Sequence, residues 1–102
     1  MTAELIIVPE AQQDLEDAYN WYEGHKFGLG EEFLSCVDAG VQALYRSPNL
    51  YPKIFKEYRR ALIRRFPYAI FYEYTDQKLL IIYSFFHTSQ EPNKWRKRGE
   101  KK

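Results

Sequence analysis

The 102-residue chain is poor in cysteine and has no long apolar run. Its one cysteine, Cys36, cannot form a disulfide within the chain, which excludes a disulfide-stapled secreted domain and fits a reducing compartment. No segment approaches the roughly 20 apolar residues that a membrane-spanning helix needs. The first residues contain no basic segment, and their apolar run is only five residues long. We therefore predict no signal peptide. The expected protein is cytoplasmic and has no membrane partner.

Residues that hold metals and cofactors are also scarce. The two histidines, His25 and His87, are far apart, and one cysteine adds no spacing typical of a metal site. There is no glycine-rich phosphate loop and no GxSxG sequence. We therefore predict neither a metal nor a cofactor.

Basic residues are nearly absent from the first half of the chain. Residues 1–52 contain two basic and nine acidic residues, whereas residues 53–102 contain thirteen basic and five acidic residues. The net charge of +1 conceals this asymmetry, which indicates binding of an acidic partner or polyanion by the second half. A hydrophobic content of 45%, with 18% aromatic residues, excludes a disordered chain.

The hydrophobic pattern predicts two helices in the first half, after a strand at Glu4–Val8. Pro9 begins the first helix, and the glycines from Gly24 to Gly30 break it. The second helix ends before Ser47, and an antiparallel helical hairpin follows from the short connection. Each helix has one apolar face. The faces are Ala11, Leu15, Ala18 and Tyr22 in the first, and Phe33, Val37, Gly40, Val41 and Leu44 in the second.

The second half has the composition of β-strands. Leu79–Phe86 is apolar at nearly every position, so we place it inside the sheet, paired as a hairpin with the strand before it. We predict an α+β fold of order β-α-α-β-β-β, a helical hairpin packed on a small, mainly antiparallel sheet. Residues 1–98 form a single domain that ends in a short helix, and residues 99–102 are a frayed basic tail. The remaining strands are Pro52–Phe55, Arg60–Phe66 and Ala69–Tyr74.

Four arginines lie within seven residues of the second half. Period-two alternation along the predicted strand places Arg59 and Arg65 on one face, and Arg60 and Arg64 on the other. Guanidinium groups bind phosphates and carboxylates bidentately. The alternative is an edge strand that uses charge to prevent aggregation.

Two further candidates follow the last strand. His87, in register with Phe85 and the odd-numbered residues before it, is either an acid–base group or a residue that orders the turn. The basic segment at residues 94–98 predicts contact with an acidic partner, whereas Trp95 either stacks on a base or anchors the final helix. The basic candidates in this segment are Lys94, Arg96 and Arg98.

The segment from Arg59 to Glu73, together with the apolar strand and the ending His87 to Pro92, resembles the RelE/ParE toxins of bacterial type II toxin–antitoxin modules. The most specific part is Arg-Phe-Pro-Tyr-x-Ile-x-Tyr, from Arg65 to Tyr72. The resemblance implies a β-α-α-β-β-β core and a cognate antitoxin that wraps around the toxin, giving a hetero-oligomeric complex.

The family that this chain resembles divides into branches by cellular target. The ribonuclease branch, which cuts messenger RNA on the ribosome, has an arginine where Ala69 stands, a second arginine just past the last strand, where this chain has Thr88-Ser89-Gln90, and a tyrosine at the position of Trp95. Of the basic residues that this branch carries on its sheet, Arg60 remains in this chain, and the apolar Leu62 stands where another basic residue is often found. The ending His-x-Ser-x-x-Pro is more similar to the ParE-like branch, whose members bind DNA gyrase without hydrolytic chemistry.

The sequence therefore predicts a ParE-like toxin that binds a target such as gyrase. Its binding surface would combine the four arginines with the basic segment at residues 94–98. The alternatives are a ribosome-dependent ribonuclease with Arg60, Arg64 and His87 in its catalytic site, and a homologue that binds its antitoxin and nothing else.

Overall fold

The computed structural model describes residues 4–89. The chain forms two helices and five strands in the order β-α-α-β-β-β-β, an α+β fold as predicted. The predicted order β-α-α-β-β-β has one strand fewer, and the additional strand, β2, is the short one that the sequence pattern predicted from Pro52. The elements are β1 (Glu4–Ile7), α1 (Pro9–His25), α2 (Leu29–Arg46), β2 (Lys53–Phe55), β3 (Tyr58–Leu62), β4 (Tyr68–Tyr74) and β5 (Leu79–His87).

The five strands form one sheet in the order β1-β5-β4-β3-β2. Every neighbouring pair is antiparallel except β1 and β5, which run parallel from Glu4 opposite Leu79 to Ile7 opposite Ile82. The interior position of β5 and its hairpin with β4 confirm the interpretation of the apolar run. Strand β1 thus forms one edge of the sheet, beside β5.

The helical hairpin is tighter than the sequence predicts. Helix α1 runs through Gly24 to His25, and α2 begins at Leu29, so only three residues connect them. The break falls at Gly28, whose φ of 87° is the left-handed conformation that glycine adopts most readily. The carboxylate of Glu23 accepts hydrogen bonds from the amides of Gly28 and Gly30, both at 2.9 Å. This side chain therefore holds the start of α2.

The sheet separates two apolar clusters. The larger lies between the sheet and the helices, and aromatic rings fill its centre: Phe33 of α2 packs against Tyr22, Phe66 and Tyr68 at centroid distances of 5.1 to 5.3 Å. The predicted helix faces are confirmed by the burial of Ala11, Ala18, Tyr22, Phe33, Val37, Val41 and Leu44. The smaller cluster lies on the outer face, defined as the face of the sheet opposite the helices. It comprises Tyr58, Ala69, Phe71, Tyr83 and Phe86.

A β-bulge interrupts β5 and changes which residues share a face. Phe71 pairs with Ser84 and Tyr72 pairs with Ile82, so Tyr83 is an extra residue. The Oδ2 atom of Asp14 accepts hydrogen bonds from the Ser84 hydroxyl and from the Phe85 amide, both at 3.1 Å. The prediction that His87 shares a register with Leu79, Ile81 and Tyr83 is therefore wrong, whereas its shared register with Phe85 is confirmed. Tyr83 belongs to the outer-face cluster and Phe85 to the helix-side cluster.

The arginine strand is shorter than predicted. The sequence pattern placed a strand at Arg60–Phe66, whereas β3 ends at Leu62. Arg65 has a φ of 73°, which no extended strand accommodates. Arg64 and Arg65 therefore lie in the connection to β4, and the period-two argument does not apply to them. Nor is β3 an edge strand along its whole length, because β2 pairs with its beginning.

The final helix predicted at residues 91–98 and the tail at 99–102 lie outside the described residues. Within residues 4–89, no helix is long and apolar enough to cross a membrane.

Candidate functional site

Arg59 forms hydrogen bonds with other residues of the chain. Its side chain lies on the helix side of the sheet, because its partner in β4 is Tyr72, a member of the helix-side cluster. Its Nη1 atom donates to the carbonyl oxygens of Asn49 at 3.1 Å and Tyr51 at 2.5 Å. These bonds tie β3 to the connection after α2. Arg59 thus has a structural role, and its predicted place in the binding surface stays a prediction.

Arg65 also has a partner within the chain. Its Nη2 atom lies 3.0 Å from the Oε1 atom of Glu32 on α2. Both side chains are exposed, so the ion pair contributes at most about 1 kcal/mol. It links the connection between β3 and β4 to α2.

Arg60 lies on the outer face. It is opposite Phe71 of the outer-face cluster, and directly opposite residues in an antiparallel pair project to the same side. Its side chain is exposed, and no ion pair to it occurs among residues 4–89. Arg60 is thus an available cation beside an apolar cluster.

Arg64 borders a groove of about 570 Å³ between α2 and the β3 side of the sheet. Arg65 and Arg46, the last residue of α2, also line the groove. Neither Arg46 nor Arg64 forms an ion pair within the described chain. Small residues form much of the wall on the helix side: Ser35, Cys36, Ala39, Gly40 and Ala43.

Sequence reasoning missed Arg46, because it lies on α2, well before the arginine segment. A signal for it existed, since Arg46 is one of only two basic residues in the first half.

His87 orders the end of β5. Its Nδ1 atom accepts a hydrogen bond from the Ser89 amide at 3.1 Å, which puts the proton of a neutral imidazole on Nε2. The Ser89 hydroxyl lies 2.7 Å from the same nitrogen, and the ring packs edge-on against Tyr68. These contacts agree with the structural interpretation, in which His87 orders the turn after the strand.

Two of the three candidate catalytic residues, Arg60 and His87, lie on opposite faces of the sheet. His87 is opposite Tyr68 and packs on it, on the helix side of the sheet, whereas Arg60 lies on the outer face. Arg64 follows Ile63, whose amide donates to the Tyr68 carbonyl, so Arg64 and His87 lie at the same end of the sheet. The sheet itself thus separates Arg60 from His87.

The outer face offers a tyrosine unsuited to act as a base. Burial, assisted by a 3.0 Å hydrogen bond to Glu73, raises the pKa of the Tyr83 hydroxyl well above its ordinary value. Tyr83 therefore stays protonated at neutral pH. Among residues 4–89, no group of three or more histidine, cysteine or acidic side chains is arranged to hold a metal. Lys94, Trp95, Arg96 and Arg98 lie outside the described residues.

A family model described as the ParE toxin of the type II toxin–antitoxin system parDE matches residues 5–92. The chain belongs to the ParE toxin family. As a member of this family, the chain is a toxin component of a type II toxin–antitoxin module, as the resemblance predicted. The chain is 28% identical to Toxin ParE2 of two Mycobacterium tuberculosis strains over 94 residues, which are 91% of this chain and 89% of the relative.

Solved structures share the fold of this ParE-family chain. The chromosomal ParDE toxin–antitoxin system from P. aeruginosa has a TM-score of 0.72 at 18% identity, covering 84% of this chain and 96% of that one. A mutant of the E. coli toxin RelE in the free state has a TM-score of 0.68 at 13% identity, covering 99% and 97%. The toxin–antitoxin complex RelBE2 from M. tuberculosis has a TM-score of 0.62 at 17% identity, covering 85% and 99%.

Proposed function

We propose that this ParE-family toxin acts by binding a cellular target such as DNA gyrase, without hydrolytic chemistry of its own, and that an acidic antitoxin neutralises it. The observation that carries the proposal is the separation of Arg60 and His87 by the sheet. A ribonuclease needs its base within hydrogen-bond reach of the 2′-hydroxyl while cations contact the same phosphate. A phosphate bound at Arg60 lies across the sheet from His87.

The available cations support a binding surface. Arg60 and Arg64 have no ion pair inside the described chain, whereas Arg59 and Arg65 are bound to it. Charges left unpaired on the surface favour rapid encounter with an acidic partner and specificity for it. Two of the solved neighbours are toxin–antitoxin systems, which supports a cognate antitoxin as that partner. The basic segment at residues 94–98 extends this proposal from the sequence alone.

The target is tested by inducing the protein without its antitoxin and following methionine incorporation over the first minutes. We expect translation to continue while cells filament, and purified protein to inhibit supercoiling by purified gyrase. An early collapse of incorporation contradicts the proposal and favours the ribosome-dependent ribonuclease. Continued growth with normal translation favours the homologue that binds only its antitoxin.

The surface is tested by charge reversal in the same cells. We expect Arg60→Glu to weaken growth arrest or antitoxin affinity by about tenfold or more. The control is Lys78→Glu, which makes the same change of charge in the turn before β5 and should change growth arrest and antitoxin affinity by less than about threefold. Full growth arrest by His87→Ala, with unchanged yield of folded protein, agrees with binding. Loss of growth arrest in that variant, with antitoxin affinity retained, points to catalysis.

A further inference from the structure

Three exposed residues lie along one side of α1, and we call them the α1 stripe: Glu10, Asp17 and Trp21. Their spacings of seven and four residues place them on the same side of a helix with about 3.6 residues per turn. All three side chains are exposed, that of Trp21 to 59%. Tyr19 and Glu23, which contact the start of α2, lie on the opposite side of α1. The α1 stripe therefore faces away from α2 and from the groove beside it.

The α1 stripe has the chemistry that binds a guanidinium group. Asp17 precedes Trp21 by one helical turn, so the carboxylate and the indole ring are neighbours. A carboxylate binds a guanidinium by charge-assisted hydrogen bonds, and the face of an indole attracts the same cation. His25 stacks on Trp21 with 3.9 Å between ring centroids, and the Gln13 amide donates to the Asp17 carboxylate at 2.9 Å. Neither Glu10 nor Asp17 forms an ion pair within residues 4–89.

A cation suited to the α1 stripe lies on the other side of the sheet. Arg60 is exposed on the outer face and has no ion pair within the described chain. Helix α1 lies in the helix layer, with the sheet between it and Arg60. One copy of the chain cannot bring the two together, so both remain available to a second molecule.

The distribution of charge favours another copy of this chain as that second molecule. Residues 1–52, which form the helices, contain nine acidic and two basic residues, whereas residues 53–102 contain thirteen basic and five acidic residues. When the helix layer of one copy meets the outer face of another, charges of opposite sign come together. Two helix layers, or two outer faces, would instead repel each other.

We propose that copies of the free protein associate head to tail, with Arg60 of one copy bound to Asp17 and Trp21 of the next. Each contact leaves one α1 stripe and one Arg60 unoccupied on opposite faces, so further copies add and two copies do not close into a dimer. A small, charged contact of this kind is weak and is screened by salt. The association concerns the free protein and does not rest on the proposed function.

The first test is sedimentation of the full-length protein over a range of concentrations. At about 50 mM salt we expect the weight-average mass to rise past that of a dimer, and at about 500 mM salt the association constant to fall by about tenfold or more. A protein that stays monomeric up to about 1 mM at both salt concentrations overturns the proposal. A plateau at the mass of a dimer, or association that salt does not weaken, also overturns it.

Charge reversal tests the pair of residues. Asp17→Lys and Arg60→Glu should each weaken association by about tenfold or more, and the double variant should recover to within about threefold of the original protein. The control is Asp38→Lys, the same change at an exposed acid on α2, with an expected effect below about threefold. A folded double variant that stays dissociated overturns the proposal. A loss in Asp17→Lys without a loss in Arg60→Glu also overturns it, because other cations, such as the basic segment at residues 94–98, would then occupy the α1 stripe.

Two aromatic substitutions test whether the ring contributes through its position. Phe27 is 95% exposed but lies in the connection between the helices, outside the α1 stripe. We expect Trp21→Ala to weaken association by about fivefold and Phe27→Ala by less than about twofold. Equal losses would show general apolar association, and no loss in Trp21→Ala would remove the ring from the contact, so either result overturns the proposed docking on Trp21.

Discussion

At its N-terminal end, α2 is held by contacts inside the chain, whereas its C-terminal half faces an open groove. The first turn is bound by the Glu23 carboxylate, and Gly30 packs closely against Tyr19. In the other half, Gly40 and Ala43 line the groove and Arg46 has no ion pair within residues 4–89. The difference indicates that substitutions at the first end will change stability, and that many at the second end will change binding.

The largest effect is expected from Glu23→Ala. This change leaves the half-buried amides of Gly28 and Gly30 without their shared carboxylate acceptor, and we expect the free energy of unfolding to fall by about 2 kcal/mol. Urea denaturation measures it. Glu31→Ala is the control, because Glu31 accepts one exposed hydrogen bond, from the Tyr19 hydroxyl. An equal loss in both variants would show that the first end of α2 is not held in this way.

Gly30→Ala should destabilise the protein by about 1 to 2 kcal/mol, through overpacking. A Cβ atom at this position would lie 2.8 Å from two ring carbons of Tyr19 and 2.9 Å from the Oε1 atom of Glu23. The shift in thermal midpoint measures the loss. Tyr19→Ala combined with Gly30→Ala should restore part of it, because the ring that causes the contact is gone. Additive losses would contradict the steric explanation.

Tyr72→Phe tests the connection after α2. The Tyr72 hydroxyl donates to the Pro48 carbonyl at 2.8 Å, and its removal should cost about 1 kcal/mol at neutral pH. Burial raises the pKa of the Tyr72 hydroxyl well above its ordinary value. Near pH 10 the unfolded chain therefore loses the proton of this hydroxyl, whereas the folded state retains it.

The alkaline limb of the stability curve follows from that raised pKa. The contribution of Tyr72 is complete below pH 10 and is lost as the pH rises toward the higher folded-state pKa. In Tyr72→Phe, stability should therefore fall less steeply above pH 10, by up to about 1.4 kcal/mol per pH unit. Unfolding curves at pH 9, 10 and 11 measure the slopes, and parallel slopes would contradict the assignment.

Gly40→Ala is expected to stabilise the protein by about 0.5 to 1 kcal/mol, because alanine is favoured over glycine inside a helix. The new Cβ atom would lie 3.5 Å from the Ile70 side chain and 3.9 Å from that of Ile63, which are ordinary contacts. It would point toward Ile63 and Ile70 of the helix-side cluster. Urea denaturation measures the change, and destabilisation would contradict this description of the second end of α2.

The sequence is sufficient to predict the order of elements and the buried helix faces, because both depend on hydrophobic periodicity. It does not reveal the end of β3, since Arg65 adopts a left-handed conformation without the glycine that usually marks one. The bulge at Tyr83 is hidden for a similar reason, because its cap, Asp14, lies seventy residues earlier in the chain. The faces of Arg60 and His87 depend on such details, and so the predicted three-residue catalytic site could not be tested by spacing alone.

The parallel pairing of β1 with β5 affects how the chain can fold during its synthesis. Glu4 finds its partner, Leu79, only after nearly the whole described chain has been made. Contacts between segments so distant in sequence form slowly, because the loop between them must first be closed. A nascent or truncated chain that lacks β5 therefore carries an unpaired first strand and an incomplete core. We expect the completed sheet to appear late, after release of the C-terminal half from the ribosome.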